Sequence, residues 1–386
     1  MFWIFLRLGL TSFGGPMAHI GFFRQEFVEK RAWFSDIQFA QWIALCHALP
    51  GPSSSQLGFL IGYQRGGWSG ALAAFLGFTL PSALIMSALA YGWFNYHQAW
   101  SSLVPALLIV AAAVVMQATW GMAKQFCRRA EWILTAISSA FVLLAFPSVW
   151  TPIILLFGLA LLGQWLKTDT EASTLSLQRT PNRTLALTLL IAPLGLLILL
   201  PGLVLLMPEL ALFDSLYRAG ALVFGGGHVV LPYLQIELVQ PGLVAESAFL
   251  SGYAFAQTLP GPMFSFSTYL GTLTQGWLGA IVATFAIFLA GLAWIIGVLP
   301  FYQQLITRSS FQAGLTAIQA GVVGFLVAAL INPILLHAIV NLPSLGLLGL
   351  NLLLLWRFKV SAIVLILLNL IMVTVAEWLA PGLVLS

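Results

Sequence analysis

From Trp68 to the C-terminus, apolar stretches of about 20 residues follow one another, each long enough to cross a ~30 Å hydrocarbon layer. In lipid an unpaired backbone group costs several kcal/mol, so such stretches must be helical; the short strand alternation of an outer-membrane barrel is absent. The composition agrees, with 60% of the 386 residues hydrophobic and 7% charged. The expected fold is an all-α polytopic membrane protein of about 9–13 membrane segments. The start MFWIFLRLGL lacks a basic region and a small-residue cleavage site, so it reads as part of the mature protein. Cys46 and Cys127 lie far apart without metal-ligand spacing and read as small core residues, so no metal or cofactor is expected. No soluble basic face offers itself to nucleic acid.

The chain contains an internal repeat. RLGLTSFGGPMAHIGFFRQEF from Arg7 aligns with RAGALVFGGGHVVLPYLQIEL from Arg218, placing Arg7 on Arg218, Gly9 on Gly220, Gly14 and Gly15 on Gly225 and Gly226, and Glu26 on Glu237. A one-residue gap brings Leu49-Pro50-Gly51-Pro52 onto Leu259-Pro260-Gly261-Pro262, and a second pairs Gly67-Trp68 with Gly276-Trp277. Two homologous halves follow, residues 1–166 and 210–386, joined by a polar linker and a connecting helix over 167–209.

Short cytoplasmic loops collect Lys and Arg. In the first half the 124–131 connection is basic, with Lys124, Arg128 and Arg129; its counterpart from Asn332 to Asn341 has no Lys or Arg. The second half instead carries Arg308, Arg357 and Lys359 in the connections on the opposite side. Opposite membrane orientations give this pattern, and inverted repeats are a construction habit of secondary transporters.

Each half breaks a membrane segment with Pro-Gly-Pro. Proline lacks the amide hydrogen and clashes with the preceding turn, so Pro50, Pro52, Pro260 and Pro262 interrupt any helix through them. In the first half, a helix from near Asp36 is expected to end at about Leu49, with Gly51 as N-cap, Pro52 at the first helical position and Ser53, Ser54 and Ser55 in the first turn. Free amides, the positive end of a helix dipole and three hydroxyls then meet at one point and can bind an anion without a formal charge. The second copy has Met263, Phe264 and Ser265 there, so the anion is expected to lean on the first half. The glycine clusters at Gly14–Gly15 and Gly225–Gly226 suit either amides that cup an anion or close helix crossing.

Arg7 and Arg218 stand in apolar stretches, where a guanidinium faces a partner or a watery cavity. Three readings stand: each meets a tetrahedral oxyanion, each pairs with Glu26 or Glu237, or Arg7 simply lies near the cytoplasmic surface. The two glutamates, with His19 and His228, are ion-pair or proton-coupling candidates, while His47 aligns with Gln257, so histidine is not shared by the halves. The charged segment Phe22–Asp36 reads as interfacial, anchored by Trp33 and Phe34.

With LGLTSFGGP, ALPGP and their second copies laid out, the sequence resembles the chromate ion transporter family in its long-chain, two-domain form. The resemblance covers both halves, with one departure, FGGG for FGGP in the second. It implies a multi-pass inner-membrane protein that exports chromate, a divalent tetrahedral oxyanion shaped like sulfate, and confers chromate resistance with the help of the proton-motive force. The family motifs fall on Arg7, Gly14, Gly15, Pro16, Glu26, Pro50, Gly51 and Pro52, and on Arg218, Gly225, Gly226, Glu237, Pro260, Gly261 and Pro262. Expected substrate contacts are these arginines and glycines with Ser53, Ser54, Ser55 and Ser265. The expected partners are a chromate- or sulfate-like oxyanion and the lipid bilayer, with a homodimer left open. Rival readings are a sulfate or other oxyanion transporter, a passive anion channel and a membrane-embedded enzyme; the last lacks HExxH, GxSxG and Walker sequences.

Overall fold

The computed structural model describes residues 1–101, 104–148, 150–165, 177–223, 230–302, 304, 308–360 and 362–379, and among them every regular element is helical. The first half comprises α1 (Phe2–Thr11), α2 (Gly15–Arg24, continued by a π-turn over Gln25–Lys30), α3 (Asp36–Ala48), α4 (Ser53–Ser101), α5 (Val104–Phe126), α6 (Ala130–Ala145) and α7 (Trp150–Trp165). α8 (Arg183–Leu206) connects it to α9 (Ala211–Leu222), α10 (Val230–Leu234, continued by a π-turn over Gln235–Val239), α11 (Glu246–Thr258), α12 (Phe266–Gly297), α13 (Ser309–Ala329), α14 (Leu342–Arg357) and α15 (Ala362–Leu379). Several starts are written locally. Ser35 and Gln38 form a reciprocal capping box at α3, Asn182 caps α8, and Asn341 with Ser344 caps α14.

Among the described residues, five helices are long and apolar enough to cross a membrane: Ser53–Trp93, Ala106–Phe126, Arg183–Leu206, Met263–Gly297 and Ser309–Ala338. Shorter apolar helices include Ala130–Ala145, Trp150–Gln164, Leu342–Arg357 and Val364–Val375. α4, with 49 residues, would be about 70 Å long if straight, more than twice the hydrocarbon thickness. It is not straight. Gly67 has φ +63°, Gly62 meets Gly70 and Ala74 across the bend, and the Tyr63 and Trp68 rings lie 5.3 Å apart. α12 does the same at Gly276 (φ +62°), where Gly271 meets Gly279. Each helix is therefore a hairpin of a short arm, which begins beside the Pro-Gly-Pro break, and a longer returning arm. The aligned Gly67 and Gly276 are the turning points because their positive φ admits glycine at no steric cost.

Small residues set the packing of the long arms. α1 crosses α4 where Gly9 lies against the Phe78 carbonyl, and α9 crosses α12 where Gly220 lies against the Ile287 carbonyl. Continuing the alignment from Gly67–Gly276 puts Phe78 on Ile287, so both halves use one contact. The peripheral helices exchange partners. α6 and α7 of the first half pack on α13 of the second through Gly163–Gly314 and Gly324–Ala136, while α14 and α15 of the second pack on α5 of the first. Leu, Ile and Phe side chains of α6, α7, α8 and α14 are exposed on the periphery, as a lipid-facing surface requires.

The segment Phe22–Asp36 departs from the expected interfacial strip. Phe34 is buried against Trp42 at a ring distance of 4.5 Å, because α3 folds back over it. Trp33 stacks on Phe27 and carries the guanidinium groups of Arg31 and Arg65 near its ring.

Candidate functional site

The first break begins where α3 stops at Ala48 and Leu49 turns extended. Gly51 has φ +124°, a value closed to other residues without strain. The Pro52 carbonyl accepts the Gln56 amide at 2.9 Å, so Pro52, rather than Gly51, is the cap, and α4 opens with Ser53, Ser54 and Ser55. The Gly51 amide, ahead of the cap, donates to the Val223 carbonyl, just past α9, at 2.6 Å. Gln56 Nε2 tightens the same clamp by donating to the Pro50 carbonyl at 2.8 Å and the Gly291 carbonyl at 3.0 Å. A Cβ on Gly51 would stand 2.7 Å from Gly291 Cα. Helix geometry leaves the first amides of α4 without intrahelical acceptors.

The second break mirrors the clamp. The Gly261 amide donates to the Ser12 carbonyl, just past α1, at 3.0 Å, and a Cβ on Gly261 would lie 2.9 Å from Ser82 Oγ on the long arm of α4. Ser12 aligns with Val223 and Ser82 with Gly291, so each half grips the break of the other at equivalent positions. The helix starts then diverge. Met263–Ser265 winds as a 3₁₀ turn in which the Ser265 amide bonds to the Pro262 carbonyl at 2.9 Å, and Ser265 Oγ bonds Ser82 Oγ at 2.5 Å.

The polar inventory is lopsided. Ser12 Oγ, Ser53 Oγ, Ser55 Oγ, Gln56 Oε1 and Thr79 Oγ1 are buried without a hydrogen-bond partner among the described residues, and the buried His19 ring has only the Ser12 backbone beside it as a candidate partner. The aligned second-half positions are Val223, Val230, Met263, Ser265, Phe266 and Phe288. A buried polar atom left unpaired costs about 1–3 kcal/mol, so several together call for ordered water, an ion or a ligand as partner. Gly15, at the start of α2, has φ +75° and open space where a Cβ would point, so the first turn of α2 is also uncrowded. Beside this region a cavity of about 170 Å³ opens between the long arms of α4 and α12, lined by Thr79, Ser87, Thr268 and Thr284 among Leu and Phe side chains.

The charged candidates form two clusters. Arg7 meets Glu26 at 2.5 Å, Arg31 meets it at 2.8 Å and Lys30 lies at 4.0 Å; Glu26 is 4% exposed while Arg7 is 58% exposed. Arg218 grips Asp214 through Nε at 2.9 Å and Nη2 at 2.5 Å, and reaches Glu237 at 3.0 Å. Ser215 donates to Glu237 at 2.9 Å. The internal pairing considered for Arg7 and Arg218 is thus present in both halves, and both glutamates sit in π-turns, a distortion frequent at functional sites. Asp214 escaped the sequence reading, although its i,i+4 spacing to Arg218 on one helix face was available. Ser12, Gln56 and Thr79 carried no such signal. Gly225, Gly226 and His228 lie outside the described residues.

Comparison with known proteins now bears on this geometry. The Chromate transporter family model matches residues 1–164 and 210–374. The chain belongs to the chromate transporter family. A chromate transport protein of Pseudomonas aeruginosa is 30% identical over 94% of this chain and 88% of its own length. An uncharacterized transporter of Methanocaldococcus jannaschii is 28% identical over 86% of this chain and 83% of its own. A chromate transport protein of Cupriavidus metallidurans is 25% identical over 92% of this chain and 87% of its own. No solved structure matches. As a chromate transporter family member with several helices able to span a bilayer, the chain is a multi-pass membrane protein.

Proposed function

We propose that this chain is a secondary active transporter that exports chromate across the inner membrane, driven by membrane potential or a proton gradient, and so confers chromate resistance. The observation that carries the reading is the first break: a helix N-terminus held rigidly against the other half, with Ser53 and Ser55 buried and unpartnered in its first turn. Amide dipoles and hydroxyls there suit a tetrahedral dianion. Ser12, His19 and Thr79 extend the lining, and Arg7, exposed on one face of its pair with Glu26, supplies positive charge on the approach.

The halves are read as inverted. With the 124–131 connection in the cytoplasm, following the long helices in order puts every Lys and Arg except Arg218 on the cytoplasmic side, as the positive-inside rule asks. Supporting contacts come from both ends. Gln64, beside the Gly67 turn, bonds the backbone of Gln178 and Arg179 in the linker, and the Gly276 turn lies near the Tyr91 hydroxyl at the far end of α4. An interior negative potential favours anion exit by about 2.3 kcal/mol per charge per 100 mV, roughly doubled for a dianion. Export on this basis needs no ATP.

The test is radiolabelled chromate flux in proteoliposomes with an imposed potential and sulfate as competitor. Saturable, potential-driven chromate flux that is lost when Ser53, Ser54 and Ser55 become Ala in a folded protein is the expected result. Preferential sulfate flux would reassign the substrate, and unchanged flux in the variant would move the anion site away from the break.

A further inference from the structure

The two charged clusters occupy aligned positions but carry opposite surplus charge. Around Glu26 stand Arg7, Arg31 and Lys30, all substantially exposed. Around Arg218 stand Asp214 and Glu237, and the group is largely shielded, with Asp214 buried at 3% exposed and Glu237 and Arg218 partly buried at 12% and 14%. Asp214 aligns with Trp3 and Ser215 with Ile4, so the extra carboxylate and its neighbouring hydroxyl belong to the second half alone. One guanidinium between two carboxylates leaves one negative charge in excess in a largely shielded group, which is costly where the surround is of low dielectric.

A second observation points into the same group. The Tyr233 hydroxyl, on a side chain 4% exposed, faces Glu237 as its candidate acceptor and lies within the field of Arg218 and Asp214. Among the described residues the other neighbours supply no competing charge. α12, packed along α9, carries no Asp, Glu, Lys, Arg or His; on α8 the charged residue is Arg183 at its first position; Glu209, in the turn before α9, is not buried; Glu246 on α11 bonds Gln235 and His337. His228 lies outside the described residues.

We propose that the two carboxylates gathered around Arg218, Asp214 and Glu237, take up one exchangeable proton between them in the transport cycle, on one or the other, and that this second-half site is the coupling site of the transporter. A proton fits better than a metal cation, because the Arg218 guanidinium already fills the space between the carboxylates, forked onto Asp214 and bonded to Glu237. The link to the anion is mechanical. α9 carries Asp214 and Arg218, and the Val223 carbonyl immediately after it holds the Gly51 amide beside Ser53–Ser55. Loading the proton loosens the hold of the carboxylates on Arg218, and a shift of α9 reaches the first-half break through one hydrogen bond.

The coupling role rests on the transport reading above, so the test separates the two. Infrared difference spectra of the full-length protein in detergent are recorded on lowering pH, with no oxyanion present, for wild type, Asp214→Asn and Glu237→Gln. In proteoliposomes a trapped pH dye then reports proton movement evoked by a chromate gradient. A protonated-carboxyl band in wild type that is lost in both folded variants, together with loss of chromate-evoked proton movement, is the expected result. An unaltered band in both variants overturns the site, as does wild-type chromate flux without proton movement or with a strict need for sodium. If wild type carries neither chromate nor sulfate while the band still vanishes in the variants, the proton site stands and the transport reading falls. Should Asp214→Asn fail to fold, Glu237→Gln alone decides, since it keeps the guanidinium fork on Asp214 intact.

Discussion

At the scale of single residues, the site is a matter of which polar atoms have been left unpaired. Hydrogen bonds to a charged group contribute about 1.5–3 kcal/mol, so replacing either Ser53 or Ser55 alone by Ala raises the chromate KM about 10- to 100-fold, read from initial flux rates. Two glycines separate conformation from contact. Gly51→Ala meets both a φ of +124° and Gly291 Cα, and a loss of about 2–4 kcal/mol is expected, visible as a lower melting temperature. Gly15→Ala faces open space and keeps only the cost of its positive φ, about 1–2 kcal/mol. Equal losses at the two positions would show that the clamp on Gly291 contributes nothing. The ion clusters divide similarly. Glu26→Gln frees cations that water already screens and costs about 1 kcal/mol or less, whereas Arg218→Met leaves two carboxylates buried together and costs about 3–5 kcal/mol in the same melting assay.

Helical hairpins dominate at the scale of elements. α1, α3, α9 and α11 are 10–13 residues long, about half of what a crossing needs, and each ends at a break or glycine cluster. The long arms of α4 and α12 return along the short ones because Gly67 and Gly276 reverse the chain, and it is these long arms that meet α1 and α9. The first turn is also anchored from outside: Gln64 receives the Gln178 and Arg179 amides at 2.8 and 2.9 Å and donates to the Arg179 carbonyl at 2.8 Å. Gln64→Leu is expected to release this part of the linker. Trypsin should then cut after Arg179 faster in the variant than in wild type while the remaining core stays resistant; equal rates would mean the segment is held elsewhere.

In the whole molecule, the halves are interlocked. Each sends a pair of peripheral helices to pack on the other, α6 and α7 on α13, α14 and α15 on α5, and each clamps the other's break. A rigid rocking of one half against the other would tear both exchanges, so motion is better assigned to the hairpins within a frame built from both halves. The opposed orientation has its own test. Native Cys127 and an introduced Val340→Cys, both in short connections, are expected to react with a membrane-impermeant thiol reagent from opposite sides of right-side-out vesicles, Cys127 only after permeabilisation. Labelling of both from outside would overturn the inverted arrangement.

Much of this was legible in the chain itself. Apolar length dictated helices because lipid offers backbone groups no partner, and Pro-Gly-Pro dictated breaks because proline lacks an amide hydrogen; both arguments need only local chemistry. The turning points at Gly67 and Gly276 were visible as aligned pairs, though not as reversals, since a glycine permits a positive φ without requiring it. Three things depended on tertiary structure. Which carbonyl takes the Gly51 amide, which hydroxyls stay unpaired and which carboxylates surround Arg218 are all contacts between segments far apart in sequence. The energy of a buried polar group is decided by whether such a partner arrives within about 3 Å, and no local pattern carries that distance.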